Sequence, residues 1–248
     1  RILMNRLCKY LIIIHILLAG CEQKATSEIA FSDLNMDHVK ATGKMIQEKS
    51  MGLHRVQAGQ SKPDTVFIAV HGYGSEGYEW VYALRKMAES GNITYYYRWD
   101  WSQCPEPASR MLNSVIDSLI SDETGIKHIN IFGHSYGGVI VTGLADDYFN
   151  VSMDIHSIAA PLAGHTRLEK NCTDYPRFDN LTLTNNLYQW RTVHKQDGAF
   201  KDLKIDPQVI DIDNSKIIQL PAVFPDGRRL GHNWSITWVM DQYFTGGK

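Results

Sequence analysis

The chain carries almost no excess of charge: 25 Lys and Arg stand against 27 Asp and Glu in 248 residues, a formal net charge of −2. A nucleic-acid binder needs a basic stripe or patch, so nucleic acid is not a natural partner. Long apolar runs are missing too. The run at residues 10–18 is too short to span a bilayer as a helix, which needs about 20 residues, and 44% hydrophobic residues is the content of an ordinary globule. There are only four cysteines. None falls in a C-x-x-C pair, and no H-E-x-x-H is present, so neither a metal site nor another cofactor is expected. No internal repeat or low-complexity tract is visible. The length fits one domain with a full core.

What is present begins with the N-terminus. Arg6 and Lys9 precede the apolar run, and Leu18-Ala19-Gly20-Cys21 follows it. A basic segment, a short apolar segment and small residues before a cut site form a signal peptide. This one resembles the bacterial lipoprotein type, which implies cleavage after residue 20 and a lipid on Cys21. Glu22, rather than Asp, follows the cysteine, which points to the outer membrane in a Gram-negative envelope. The first methionine is Met4, where translation is expected to start. Cys8 leaves with the signal, so Cys104 and Cys172 remain in an oxidising compartment, as a disulfide or as two separate thiols. The expected organisation is a signal at 1–20, a lipidated tether and N-terminal segment at 21–50 with a helix over 36–49, and one folded domain at 51–248.

Within that domain, residues 65–70 form a continuous β-branched run, the mark of a central buried strand. Strands are also expected at 53–58, 93–99, 127–132, 155–160, 187–194 and 216–220. Helices are expected at 78–90, 108–121, 138–145 and 234–244. Strands alternating with helices predict an α/β fold, a mostly parallel sheet covered on both faces.

The chemistry centres on Gly133-His134-Ser135-Tyr136-Gly137-Gly138, between a strand and a helix. This G-x-S-x-G pattern sets a serine on a strained corner with its hydroxyl exposed at the top of a sheet. A serine hydroxyl is a weak nucleophile and needs a base, and the base needs an orienting acid. Both should lie at the carboxyl ends of later strands, where the crevice of a parallel sheet opens. Asp197 follows the 187–194 strand on a turn and is the expected acid, with Asp202 and Asp206 in reserve. His232, the only histidine after Asp197, is the expected base. His134, His165 and His194 read as structural or pocket-lining. The oxyanion should be met by the backbone N–H groups of Tyr136 and of Tyr73, with Gly74 as second choice for the latter. Leu162, Tyr175 and Phe178 are expected to touch the acyl group.

A rival is written into the same stretch. Gly72-Tyr73-Gly74-Ser75-Glu76-Gly77 matches G-x-G-x-x-G after a strand, and Asp100 follows the next one, as in a dinucleotide site. That reading leaves Ser135, Asp197 and His232 unexplained. Instead, His71-Gly72-Tyr73-Gly74, the serine turn, Ala159-Ala160-Pro161, Asp197-Gly198 and Gly231-His232 together resemble the α/β-hydrolase serine esterases and lipases. The likeness is nearest to a lipase-like branch that includes GPI inositol-deacylase-like proteins. It covers residue 53 to the C-terminus and implies an α/β-hydrolase fold, a Ser-His-Asp triad and ester hydrolysis. The segment after Ala160 is short for the cap of this family, so an open site is expected. The expected partners are an ester or lipid substrate and the membrane, for a monomeric protein of the bacterial cell envelope. Two alternatives keep the scaffold: an acyltransferase on the same triad, or a non-catalytic lipoprotein.

Overall fold

The computed structural model describes residues 28–59, 64–170, 172 and 175–246. The signal segment and Cys21 lie outside the described residues. Among those described, eight strands form one sheet: β1 (Glu28–Ala30), β2 (Gly52–Gln57), β3 (Thr65–Val70), β4 (Ile93–Arg98), β5 (His128–His134), β6 (Ser152–Ile158), β7 (Asn186–Arg191) and β8 (Lys216–Gln219). Their spatial order is β1-β2-β4-β3-β5-β6-β7-β8. Every neighbouring pair is parallel except β2 and β4, which run antiparallel.

The helices are α1 (Val39–Gln47), α2 (Tyr78–Glu89), α3 (Pro105–Asp122), α4 (Tyr136–Thr142), α5 (Thr166–Glu169) and α6 (Trp234–Thr245). They divide between the faces because strand side chains alternate. From β3, Val66, Ile68 and Val70 enter one core, with Leu112 and Ile116 of α3 and Val139 and Ile140 of α4. Phe67 and Ala69 enter the other, with Trp80, Leu84 and Met87 of α2 and Ile236 and Val239 of α6. Truncating one such buried side chain to Ala typically costs about 2–5 kcal/mol. Pro105 opens α3 at a position where its missing N–H is harmless. Gly246, at φ +70°, closes α6 in the left-handed conformation.

Three local differences from the sequence reading have physical causes. Residues 28–30 pair with β2 and α1 packs on α2, so the folded unit reaches back at least to Glu28 and leaves less chain for a tether. Strand β7 stops at Arg191 rather than at residue 194, because the Thr192 N–H turns to Gln208 Oε1 (2.8 Å) instead of a neighbouring strand. The chain then curls through a one-turn helix, His194–Gln196, with Asp197 N–H bonded to Val193 O (3.0 Å). Finally, the serine turn flows straight into α4, which starts at Tyr136. No helix among the described residues is long and apolar enough to cross a membrane.

Candidate active site

Ser135 sits between β5 and α4 at φ 54°, ψ −120°, a backbone conformation that non-glycine residues rarely adopt. Such strain costs on the order of 1–3 kcal/mol and persists only where the surroundings enforce it. Here Ser135 N–H is bonded to Ile158 O (2.8 Å) in the adjoining strand. The two glycines of the turn permit the corner. A Cβ on Gly133 would lie 2.3 Å from Gly137 O, and one on Gly137 would lie 2.4 Å from Val70 O.

Asp197 and His232, 35 positions apart, meet through a hydrogen bond from His232 Nδ1 to Asp197 Oδ2 of 2.9 Å. Asp197 is fully buried. Its Oδ2 also accepts from Thr192 Oγ1 (2.5 Å), and its Oδ1 from Ala199 N–H (2.8 Å). Burial pushes the carboxyl up, but the bond from His232, its charge, and the bonds from Thr192 and Ala199 outweigh it and hold the pKa below the ordinary value. A carboxylate so held fixes the imidazole with its proton on Nδ1 and leaves Nε2 as a base. The ring is steadied by Phe200, set edge-on at 5.0 Å. The His232 carbonyl accepts from Ser235 Oγ (2.5 Å) and from His134 Nε2 (3.2 Å). Burial, then the neighbouring His232, pushes His134 down to about 3, so it is a neutral donor.

Ser135 and His232 line two cavities together, one of about 180 Å³ and one of about 490 Å³. Ser135 Oγ makes no hydrogen bond among the described residues; such bonds commonly tighten only when substrate binds.

The loop after β3 lies against the serine turn. A Cβ on Gly72 would be 2.8 Å from His134 O and 3.0 Å from Ser135 Cβ. His71 ties this loop down. Its Nδ1 donates to Gly72 O (2.9 Å), and its Nε2 accepts from Arg98 Nη1 (3.1 Å). Burial pushes its pKa down to about 4, against the bond to Gly72, so the ring is neutral at pH 7. Among the described residues, neither Tyr73 N–H nor Tyr136 N–H donates a hydrogen bond. The Tyr73 side chain is 60% exposed and packs against Trp101 (4.6 Å between ring centroids). The Tyr136 side chain is buried, with its hydroxyl donating to Gln103 O (3.1 Å).

The structure does not bring the expected acyl-contact residues to this place. Leu162, Tyr175 and Phe178 are buried in the core beside α3 and α4, and Tyr175 Oη bonds Pro161 O (3.1 Å). An aperiodic segment gives no sign of which side chains turn inward, and these three serve to seal the sheet. The larger cavity is walled instead by Trp101, Leu168, Phe200 and Leu203, with Pro161 and His165. Cys172 lines it too and is joined to Cys104 in a disulfide with Cα atoms 5.5 Å apart. Sequence reasoning also passed over Thr192, Ser235 and Glu79. The first two act through contacts five and three positions along the chain, to the Asp197 carboxylate and the His232 carbonyl, and belong to no recognised motif. A further cavity of about 480 Å³ beside α3 contains neither Ser135 nor His232. No cluster of His, Cys, Asp and Glu suited to a metal ion occurs among the described residues.

No protein-family model and no curated protein matches the chain. Solved structures do. Est1E from Butyrivibrio proteoclasticus matches with a TM-score of 0.57 at 13% identity, over 79% of this chain and 93% of that one. XC6422 from Xanthomonas campestris, described as an α/β serine hydrolase without a lid, gives 0.55 at 12% identity, over 78% and 86%. MenH from S. aureus gives 0.52 at 11% identity, over 80% and 98%.

Proposed function

On the α/β-hydrolase fold that these likenesses establish, we propose that the chain is a serine hydrolase of carboxylic esters. The observation that carries the reading is the bond between buried Asp197 and His232, with that imidazole lining the same cavities as a strained serine. Ser135 Oγ attacks the ester carbonyl while His232 Nε2 takes its proton. The tetrahedral oxyanion is met by the N–H groups of Tyr73 and Tyr136, which have no other acceptor among the described residues. Such a donor is typically worth about 3–4 kcal/mol in the transition state. His232 then returns the proton to the departing alkoxide, leaving an acyl group on Ser135. Water, deprotonated by the same imidazole, attacks the acyl-enzyme, and as the bond to Ser135 Oγ breaks His232 hands that proton to the serine oxygen and the acid is freed. Asp197 holds the tautomer throughout and stabilises the imidazolium. The acyl group belongs in the larger cavity, against Trp101, Leu168, Phe200 and Leu203.

The lipoprotein-type signal adds a place: a protein tethered through lipid on Cys21 to a membrane of the bacterial envelope. A panel of nitrophenyl esters of increasing chain length tests the catalytic reading. Turnover should occur and should vanish in Ser135→Ala; hydrolysis of no member of the panel counts against it.

A further inference from the structure

Ser135 and His232 stand where two cavities of different character meet, and the smaller one carries polar groups that the triad does not use. Beyond the oxyanion loop its wall is made by Ser75, Glu76, Tyr78, Glu79 and Asn233. Glu79 lies in the first turn of α2 and is held in place from below. Its Oε1 accepts a short bond from Ser75 Oγ. That hydroxyl accepts in turn from Gln47 Nε2 (2.8 Å) and from Gly77 N–H (3.2 Å). Gln47 Nε2 also reaches Tyr96 Oη (2.8 Å), so α1 and β4 both brace the network.

The second oxygen, Glu79 Oε2, is buried and has no hydrogen-bond partner among the described residues. A buried acceptor left unpaired is unfavourable, and a ligand hydroxyl would relieve it. Burial, outweighing the bond from Ser75, raises the Glu79 carboxyl above its usual range. In its protonated form the group both donates and accepts. No Lys or Arg lines the cavity, and Glu76 stands on the same wall, so an anionic ligand finds no counter-charge there. At about 180 Å³, against about 490 Å³ for its neighbour, it suits a small polar group and not a second acyl chain.

We propose that the smaller cavity is the leaving-group subsite and that Glu79 selects a neutral, hydroxyl-bearing alcohol of the glycerol type. The inference rests on the ester-hydrolase reading. It also fits the path of the proton: His232, which protonates the departing oxygen, lines this cavity as well as the larger one. Glu79 is then a specificity-determining residue that touches the alcohol, with Ser75 positioning it.

Three esters of one acyl group separate the outcomes: the ethyl, the 2,3-dihydroxypropyl and the choline ester, each hydrolysed by the full chain. The wild type should show kcat/KM for the dihydroxypropyl ester about tenfold above both others. Glu79→Leu should bring that ratio to about one, and Glu79→Gln, which keeps a donor and an acceptor, should preserve most of it. Ser75→Ala disturbs the fold less and should lower the ratio about threefold. Labelling of Ser135 by a fluorophosphonate counts the competent enzyme in each preparation. A wild-type ratio near one, a preference for the choline ester, or a ratio unmoved by both Glu79→Leu and Ser75→Ala overturns the subsite and leaves the hydrolase standing. If no ester is turned over and Ser135 takes no label, the hydrolase reading falls and the subsite with it.

Discussion

His134 Nε2 donates to the main-chain carbonyl of His232, 3.2 Å away across 98 positions of sequence. The residue beside Ser135 thereby grips the backbone of His232, with the two rings 4.6 Å apart. His134 is a positioning residue, since its buried, neutral ring works through His232. His134→Leu keeps the bulk and loses the bond. A hydrogen bond of this kind is worth about 0.5–1.5 kcal/mol, so kcat should fall about fivefold with KM little changed. His134→Gln, which restores a donor, should recover part of the loss. Equal kcat in His134→Leu and wild type would show that the grip does not matter.

The imidazoles of His71, His134 and His156 are buried in the neutral form, the first with a pKa lowered to about 4 and the other two each lowered to about 3, all chiefly by burial. The unfolded chain takes up a proton on each near 6.5, whereas the folded chain does so only near those lower values. Their contribution is therefore complete above 6.5 and is lost as pH falls towards 3–4. The lowered Asp197 carboxyl acts in the same direction at more acid pH. At pH 5 the loss is about 2 kcal/mol for each imidazole, an upper figure. Urea midpoints measured at pH 7.5 and pH 5 should fall clearly on acidification. An unchanged midpoint would mean that these rings can charge without unfolding the protein.

The Cys104–Cys172 disulfide joins the loop that carries Trp101 and Gln103 to the short segment after β6; Trp101, Gln103 and Cys172 all wall the larger cavity. It closes a loop of 68 positions. The chain-entropy relation gives about 4 kcal/mol for such a loop, an upper figure in practice. In a chain of this size that corresponds to about 10 °C in Tm. A Cys104→Ser, Cys172→Ser double variant should melt lower by up to that amount and show a raised KM for long acyl esters. A variant equal to wild type in both would make the bond incidental to the cavity.

Much of the site was legible because its parts carry local marks. Ser135 announces itself through flanking glycines whose added Cβ atoms would strike backbone oxygens. Asp197 and His232 follow from chain order and from strand tips, and a 2.9 Å hydrogen bond joins them in the fold. The glycine-rich stretch 72–77, which also fits a dinucleotide loop, packs on the serine turn through Gly72. What stayed hidden depends on how the backbone turns once folded. Thr192 meets Asp197 only because Gln208 draws the backbone out of β7. Leu162, Tyr175 and Phe178 lie in a stretch without period, where apolar character says that a residue is buried but not beside what. In the same way β1 looked like tether, since three residues are too few to show alternation.

The most direct test is the labelling of the chain with a fluorophosphonate, followed by mapping of the modified residue. One label per chain should fall on Ser135, none should be taken up by Ser135→Ala, and Asp197→Asn should slow the reaction by about 10³–10⁴-fold through the wrong imidazole tautomer. A wild-type chain that takes no label, or a Ser135→Ala variant that labels as fast as wild type, would contradict the account.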